Sequence, residues 1–168
     1  GRAVQMNHGA RVANSEILLF LHADCILPDG AFDLIKKTLK QSEVVLGAFD
    51  IRFNSPGTCY RVIERAANLR SRLTSVAYGD QGIFILKEQF FALGGFKEMP
   101  LMEDIEFCLR AKKRGKILFL RPPVTVSARR FEKEGLLYSV LRDWALALSY
   151  TLLGVSPERL VRYYRDVR

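Results

Sequence analysis

The chain has 168 residues, 49% of them hydrophobic and 26% charged, which fits one globular unit and excludes a disordered or low-complexity protein. Its formal net charge of +8 favours anionic partners, namely phosphates, nucleic acids or an acidic membrane surface, without choosing among them. Cys25, Cys59 and Cys108 are far apart and form no CxxC pair, which argues against a disulfide framework or a zinc site. We therefore expect a protein of a reducing compartment, the cytoplasm.

Apolar patterning in the first half of the chain predicts helices that alternate with strands. Residues 2 to 14 carry a weak apolar face at helical spacing. The unbroken apolar run at residues 17 to 21 is typical of a strand covered on both faces. Residues 44 to 53 alternate in polarity, which predicts a half-exposed strand with Asp50 on its open face.

The remaining elements follow from apolar spacing and from Gly and Pro as stop signals. In chain order they are a helix capped by Asp29 and ending near Lys40, a helix at residues 58 to 73, a strand at 82 to 86, helices at 87 to 93 and 103 to 114, a strand at 117 to 120 stopped by Pro122-Pro123, and two tail helices within 135 to 167 separated near Gly154 to Pro157.

This alternation argues for an α/β fold with a mainly parallel sheet flanked by helices. In such sheets ligands bind beyond the carboxyl ends of the strands, and the first strand ends at His22-Ala23-Asp24. Asp24 is either a turn former or a ligand for a hard divalent cation such as Mg²⁺ or Mn²⁺. His22 either joins it as a metal ligand or makes a simple hydrogen bond.

A second acidic pair, Glu103 and Asp104, opens a predicted helix. Acids are favoured there by the helix dipole, which explains the pair without any function. The mostly apolar face of the same helix is expected to pack on the sheet, so that Asp104 points into the same cleft as Asp24. One carboxylate that holds a metal and another that acts as a base would divide the work of a transfer reaction.

Four stretches resemble the family-2 glycosyltransferases of the GT-A fold, in particular the bacterial transferase 2 subgroup associated with radical-SAM/selenodomain proteins. They cover nearly the whole chain and occur in the right order. The stretches are GRAVQMNHGARVANSEILLFLHAD, YGDQGIFI, LGGFKEMPLMEDIEFCLRAKKRG and VSARRFEKEGLLYSVLRDWALALSYTLLGVSPERLVRYYR.

The resemblance implies a GT-A (Rossmann-like) domain over residues 1 to 134, followed by a helical hairpin at 135 to 168 that packs on the domain or on a partner. It implies Mn²⁺ or Mg²⁺ on Asp24, since His22 replaces the first Asp of the family's Asp-x-Asp motif. Asp104 would be the general base, with Glu103 beside it. The residues implied to contact the nucleotide sugar or the acceptor are Arg2, Asn7, Ala23, Asp80, Gln81, Arg129 and Arg130.

The implied reaction is a direct displacement with inversion, in which a sugar passes from a nucleotide-diphosphate sugar to an acceptor hydroxyl. The family opens with a strand ending in Pro-x-x-Asn-Glu and a second strand with a base-binding Asp, and neither occurs here. We therefore expect a truncated GT-A sheet, weak or absent binding of nucleotide sugars by this chain alone, and an exposed sheet edge that invites homodimerisation.

The apolar segment at residues 136 to 153 carries only two charges, Arg142 and Asp143, in its middle. These charges favour a packed helix over one within a bilayer. An interfacial membrane helix is the alternative, assisted by basic residues, and a lipid-linked acceptor at the inner face of the membrane would suit it. The basic residues are Arg159, Arg162, Arg165 and Arg168.

Two further functional hypotheses compete with an enzyme. A catalytically inactive relic or interaction module is favoured by His22, whereas Glu103-Asp104 and Arg129-Arg130 favour the enzyme. Nucleic-acid binding is disfavoured, because aromatic residues are not interleaved with the arginines as stacking platforms would require.

Overall fold

The computed structural model describes residues 1–164, and these residues form a five-stranded sheet flanked by helices. The strands are β1 (Ile17–Phe20), β2 (Cys25–Ile26), β3 (Val44–Phe53), β4 (Ile83–Leu86) and β5 (Lys116–Val126). The helices are α1 (Arg2–Val12), α2 (Ala31–Leu39), α3 (Thr58–Thr74), α4 (Lys87–Ala92), α5 (Glu103–Ala111), α6 (Arg129–Glu134), α7 (Leu136–Thr151) and α8 (Pro157–Leu160), and 3-10 turns lie at Gly79–Gln81 and Val161–Tyr163.

The mixed α/β class is confirmed, but the prediction of a mainly parallel sheet is wrong. The strand order is β1-β4-β3-β5-β2, and of its pairings β3–β5 is parallel while β1–β4, β3–β4 and β2–β5 are antiparallel. Strands β1, β3 and β5 do run in one direction, and β4 is inserted between the first two. An apolar run indicates that a strand is buried on both faces, not which way it runs.

Because β4 runs antiparallel to β1, the loop before β4 lies beside the end of β1. Since Ile83 pairs with Phe20, the residues that lead into β4 lie beside the residues that leave β1. Residues 21 to 24 then connect one edge of the sheet to the other, because β2 pairs with β5, and β4, β3 and β5 lie between β1 and β2 in the strand order. The 79 to 81 turn and the His22-Ala23-Asp24 segment therefore meet at one edge of the sheet.

Strand β3 has the predicted bounds but is more deeply buried than its alternation suggests, because it is a central strand with an apolar cluster on each face of the sheet. Arg52 is its exposed residue, whereas Asp50 is 2% exposed and ion-paired with Arg72 and Arg121. Strand β5 does not stop at Pro122-Pro123. The β3–β5 register shifts between Phe49 and Ile51, and such an irregularity accommodates residues that lack an N–H.

Several element boundaries differ from the predicted ones. Gly30, with φ of 71°, occupies the N-cap position of α2 instead of Asp29. Helix α5 ends at Ala111 and continues as a turn to Gly115, and the short α6 was not predicted. The tail forms α7 and α8 with a break at 154 to 156, as expected, while Arg165 and Arg168 lie outside the described residues.

Helix α7 packs across both apolar clusters of the core. Val140 joins the cluster between α2, α3 and the sheet, and Leu146 joins the cluster on the opposite face. Its mid-helix Arg142 is buried and paired with Glu134 at 2.9 Å and Asp143 at 3.0 Å, which explains how a charge is tolerated there. The outer face of α7 is apolar and exposed, with Leu137, Leu141, Leu148 and Leu152 each more than half accessible.

No helix within residues 1–164 combines the length and the apolar character that crossing a bilayer requires. In the described sheet, β1 forms an edge strand, so dimerisation through that edge stays a prediction. The division of the chain at residues 134 and 135 also stays a prediction.

Candidate active site

A cavity of about 880 Å³ opens at the edge of the sheet where the 79 to 81 turn meets the segment after β1. Asp24 and Asp104, eighty positions apart in the chain, both line it. Helices α1, α3 and α7 contribute to its walls, so α7 is part of the cavity and not only packed beside it.

Helix α5 presents Asp104 to the cavity from its first turn. The preceding Met102 has φ of 70°, in the left-handed region that non-glycine residues seldom adopt and that is often found at functional sites. The Gly79 N–H donates to Asp104 Oδ2 at 2.7 Å, and the Ile105 N–H donates to Oδ1 at 2.8 Å. Burial raises the pKa of Asp104, and these two N–H groups and Arg2 oppose that shift. The carboxylate is thus a stronger proton acceptor than an exposed Asp.

His22 lies between the two carboxylates, against the backbone of Gly79. A Cβ on Gly79 would lie 2.6 Å from His22 Nε2 and 3.5 Å from Asp104 Oδ2, so glycine is needed for this close approach. Nε2 is buried and has no hydrogen-bond partner among residues 1–164. Burial, followed by Arg2, lowers the pKa of His22, so that the ring is neutral at pH 7.

Glu103 is buried beside Asp104 and pairs with Arg2 of α1 at 3.7 Å. Burial and the neighbouring Asp104 charge raise the pKa of Glu103, and Arg2 opposes that shift. The Arg2 side chain is 46% exposed and also lines the cavity. The structure therefore brings Arg2, Glu103 and Asp104 together at the cavity.

Asp80 and Gln81, predicted to contact substrate, differ in their surroundings. Asp80 lines the cavity, where burial raises its pKa and the positive charges of Arg70 and Arg130 oppose that shift. Gln81 is 2% exposed. Its side chain donates to the Phe49 carbonyl at 3.1 Å and accepts from Ser71 and the Tyr78 N–H. The Gln81 amide therefore holds the 79 to 81 turn on the sheet, and Asp80 is the residue of the two that is available to a ligand.

Two of the predicted binding residues do not line the cavity. Arg129 is exposed and points away, because adjacent helical residues are about 100° apart, whereas Arg130 lines the cavity and pairs with Asp143 at 2.7 Å. Asn7 is buried, donates to the Phe96 carbonyl at 2.8 Å and accepts from the Phe96 N–H at 3.0 Å. Its role is to anchor the turn before α5, which its position on α1 does not reveal.

Residues 1–164 contain no group of three or more His, Cys, Asp or Glu side chains arranged to hold a metal ion. Asp24 and Ala23 are exposed at the cavity, and within residues 1–164 the side chain of Asp24 accepts only a weak hydrogen bond, from the Cys25 thiol at 3.9 Å. A hard cation held by one carboxylate and completed by phosphate oxygens fits this donor set. His22 Nε2, packed on Gly79, does not fit as its second ligand.

Three residues of the cavity were missed by the sequence reasoning. They are Arg70 of α3, Tyr78 before the 79 to 81 turn, and Trp144 of α7. The Arg70 guanidinium carbon lies 3.8 Å from the centre of the Tyr78 ring and 5.2 Å from that of Trp144. Helical spacing places Arg70 and Trp144 on their helices, but no local pattern indicates that they meet.

Comparison with known proteins identifies the family. No curated protein matched the chain. The model of the family described as Glycosyl transferase family 2 matches residues 1–97, which include α1, the His22-Ala23-Asp24 segment and the 79 to 81 turn but not Asp104. This match covers more than half of the 168 residues, and the chain therefore belongs to glycosyl transferase family 2.

Proposed function

We propose that the cavity transfers a sugar from a nucleotide-diphosphate sugar to an acceptor hydroxyl, with Asp104 as the general base. The observation that carries this proposal is the presence of Asp24 and Asp104 in one cavity together with Arg2 and Arg130. Acidic residues for a proton and a cation, and basic residues for a departing diphosphate, are the groups that glycosyl transfer needs.

The base is best supplied by Asp104. Its raised pKa increases its affinity for a proton, and the two backbone N–H groups fix its orientation. Glu103 is the poorer candidate, because it is only 3% exposed and paired with Arg2. We propose that Glu103 holds the Arg2 guanidinium at the cavity and so maintains the geometry of the site around Asp104.

The donor diphosphate would lie near Asp24, between Arg2 and Arg130. A Mg²⁺ or Mn²⁺ ion held by Asp24 would neutralise part of the phosphate charge. Arg130 has a buried Nη1 without a hydrogen-bond partner among residues 1–164, while its Nη2 donates to Asp143. This free donor supports a role in binding a phosphate oxygen as charge develops on it.

The proposed reaction is a single displacement. The acceptor oxygen forms a bond to the anomeric carbon as the bond from that carbon to the diphosphate oxygen breaks. The acceptor proton passes to the Asp104 carboxylate, and the electron pair of the broken bond leaves with the nucleoside diphosphate. Attack opposite the leaving group gives inversion at the anomeric carbon.

An interaction module without catalysis is the second candidate. It is favoured by the burial of His22 Nε2 against Gly79, because a metal ligand would have to be accessible from the cavity.

One experiment separates the two candidates. A panel of UDP- and GDP-sugars is incubated at millimolar concentration with the full chain and Mg²⁺ or Mn²⁺, and released nucleoside diphosphate is measured. We expect turnover of at least one donor, lost in Asp104→Asn and Asp24→Asn and retained in Asp33→Asn, which makes the same chemical change at an exposed position on α2. Absence of turnover with every donor would support the interaction module.

We propose the inner face of the membrane as the site of action, with a lipid-linked acceptor. The exposed leucines of α7 and the exposed Arg159 and Arg162 support this proposal. The full chain should sediment with anionic liposomes, and Leu141→Ser with Leu148→Ser should weaken that binding. Equal recovery of both proteins in the supernatant would contradict it.

A further inference from the structure

Arg70 is a cation of the cavity that has no polar partner in the described part of the chain. Its guanidinium is enclosed by the rings of Tyr78 and Trp144, and it makes no hydrogen bond and no ion pair with any other of residues 1–164. Stacking fixes the plane of a guanidinium but uses none of its N–H groups. The buried Nε–H is thus held in place without an acceptor within residues 1–164, and stacking leaves the other N–H donors available to a ligand.

The other arginines near this end of the molecule are different. Arg130 is bound to Asp143 at 2.7 Å, and Arg142 is bound to Glu134 and Asp143. The positive charge of Arg70 opposes the rise in the pKa of Asp80, but the two side chains form no ion pair within residues 1–164. An unpaired Arg at a cavity wall is suited to a ligand with an oxyanion, since planar N–H pairs match phosphate and carboxylate oxygens.

The position of Arg70 indicates which substrate carries that oxyanion. Arg70 stacks on Tyr78, whose neighbour Gly79 donates the hydrogen bond that orients Asp104. Arg70 therefore lies beside the turn that orients Asp104, the base that must deprotonate the acceptor hydroxyl.

We propose that Arg70, held between Tyr78 and Trp144, binds a phosphate or carboxylate group of the acceptor, so that this enzyme glycosylates anionic acceptors. The inference rests on the proposed function, because it takes Asp104 as the base. Asp80, also at the cavity, is placed to accept a hydrogen bond from a hydroxyl of the same acceptor.

The chain contains a single tryptophan, Trp144, so tryptophan emission reports on this site alone. The full chain is titrated with glycerol 3-phosphate and with glycerate at constant ionic strength, and glycerol is the uncharged control. We expect a saturable change in emission with one or both anions and none with glycerol. The absence of a saturable change with either anion at millimolar concentration would overturn the proposal.

Variants on α3 test the residue itself. Arg70→Gln should weaken anion binding roughly 10- to 100-fold, the loss expected for charge-assisted hydrogen bonds. Arg65→Gln, the same change at an exposed position of the same helix, should not. Arg70→Lys, which keeps the charge, should bind better than Arg70→Gln, and circular dichroism verifies that each variant is folded. Equal binding by Arg70→Gln and Arg65→Gln would overturn the proposal, as would equal weakening in Arg70→Lys and Arg70→Gln.

A donor arm distinguishes the two sources of oxyanion. UDP and GDP are titrated in the presence of Mn²⁺ with the same variants. If Arg70→Gln weakens nucleoside diphosphate binding and leaves glycerol 3-phosphate binding unchanged, Arg70 belongs to the donor and the acceptor proposal fails. Turnover that depends on Asp104 would then leave the proposed function intact, whereas no turnover with any donor would remove it independently of Arg70.

Discussion

Asp50 and Asp104 are both carboxylates surrounded by core residues, but the protein gives them different partners. Asp50 accepts from Arg72 at 2.9 Å and from Arg121 at 2.7 Å, and so its charge is balanced by two guanidinium groups. Asp104 accepts from two backbone N–H groups and forms no ion pair within residues 1–164. The two N–H groups orient the carboxylate and oppose the rise in its pKa, but burial outweighs them, so its affinity for a proton stays high. The first arrangement stabilises the fold and the second leaves an acid available for chemistry.

The comparison predicts its largest effect at Asp104. Asp104→Asn removes the proton acceptor while it keeps the shape of the side chain, and we expect sugar transfer to fall about 10²- to 10⁴-fold. Nucleoside diphosphate release measured at saturating donor is the test. Stability should stay within about 1 kcal/mol of the parent, because Asn removes the cost of burying a charge, which offsets the loss of one hydrogen-bond acceptor. A variant with parental turnover would show that another residue is the base.

Asp50→Asn should have the opposite profile. We expect the free energy of unfolding in urea to fall by about 2 to 3 kcal/mol, because two charge-assisted pairs are lost at a position that is 2% exposed. The cost stays below that of breaking a fully buried pair, since the Arg72 and Arg121 side chains are 38% and 75% exposed and can be hydrated. Asp33→Asn is the matched control, and turnover per folded molecule should be unchanged. A stability equal to that of the control would mean that the pairs around Asp50 contribute nothing.

Much of the fold could be predicted from local patterns. The bounds of β3 and the alternation of helices and strands follow from apolar spacing, and Asp24 lies at the cavity just after β1, where a strand end predicts a site. The direction of β4 and the passage of β5 through Pro122-Pro123 could not be predicted, since pairing partners and register shifts are not local properties.

The candidate site was predictable only where residues carry a charge next to a strand or helix end. Asn7 was expected at the nucleotide but instead anchors a turn eighty-nine positions away, through its bonds to Phe96. Arg70 and Trp144 meet because α3 and α7 pack near each other, which depends on the whole core. Contacts of this kind have no sequence signal.

A smaller effect is expected where the backbone supports Asp104. In Gly79→Ala the new Cβ would lie 2.6 Å from His22 Nε2, and the ring or the turn must move. We expect a loss of about 1 kcal/mol in stability from this crowding, together with lower turnover because the Gly79 N–H shifts relative to Asp104. Thermal unfolding of Gly79→Ala, His22→Ala and the double variant forms a double-mutant cycle. Because His22→Ala removes the ring that the new Cβ would meet, Gly79→Ala should cost less stability in the His22→Ala background than in the parent. Simple additivity of the two changes would indicate that His22 and Gly79 do not contact each other.

The smallest effect concerns the electrostatics of the base. Activity requires the deprotonated form of Asp104, so turnover should fall as the pH decreases through a pKa that burial holds above the ordinary 3.8 of Asp. Arg2 lowers that pKa, because a positive charge favours the carboxylate. Arg2→Gln should therefore move the acid limb of kcat/KM to higher pH, and only slightly, since the Arg2 side chain is 46% exposed and water screens it. Arg11→Gln, on the exposed side of the same helix, should leave the limb in place. Movement of the limb to lower pH in Arg2→Gln would mean that Arg2 does not lower the pKa of the group that titrates. That result would exclude a carboxylate beside Arg2 as the base.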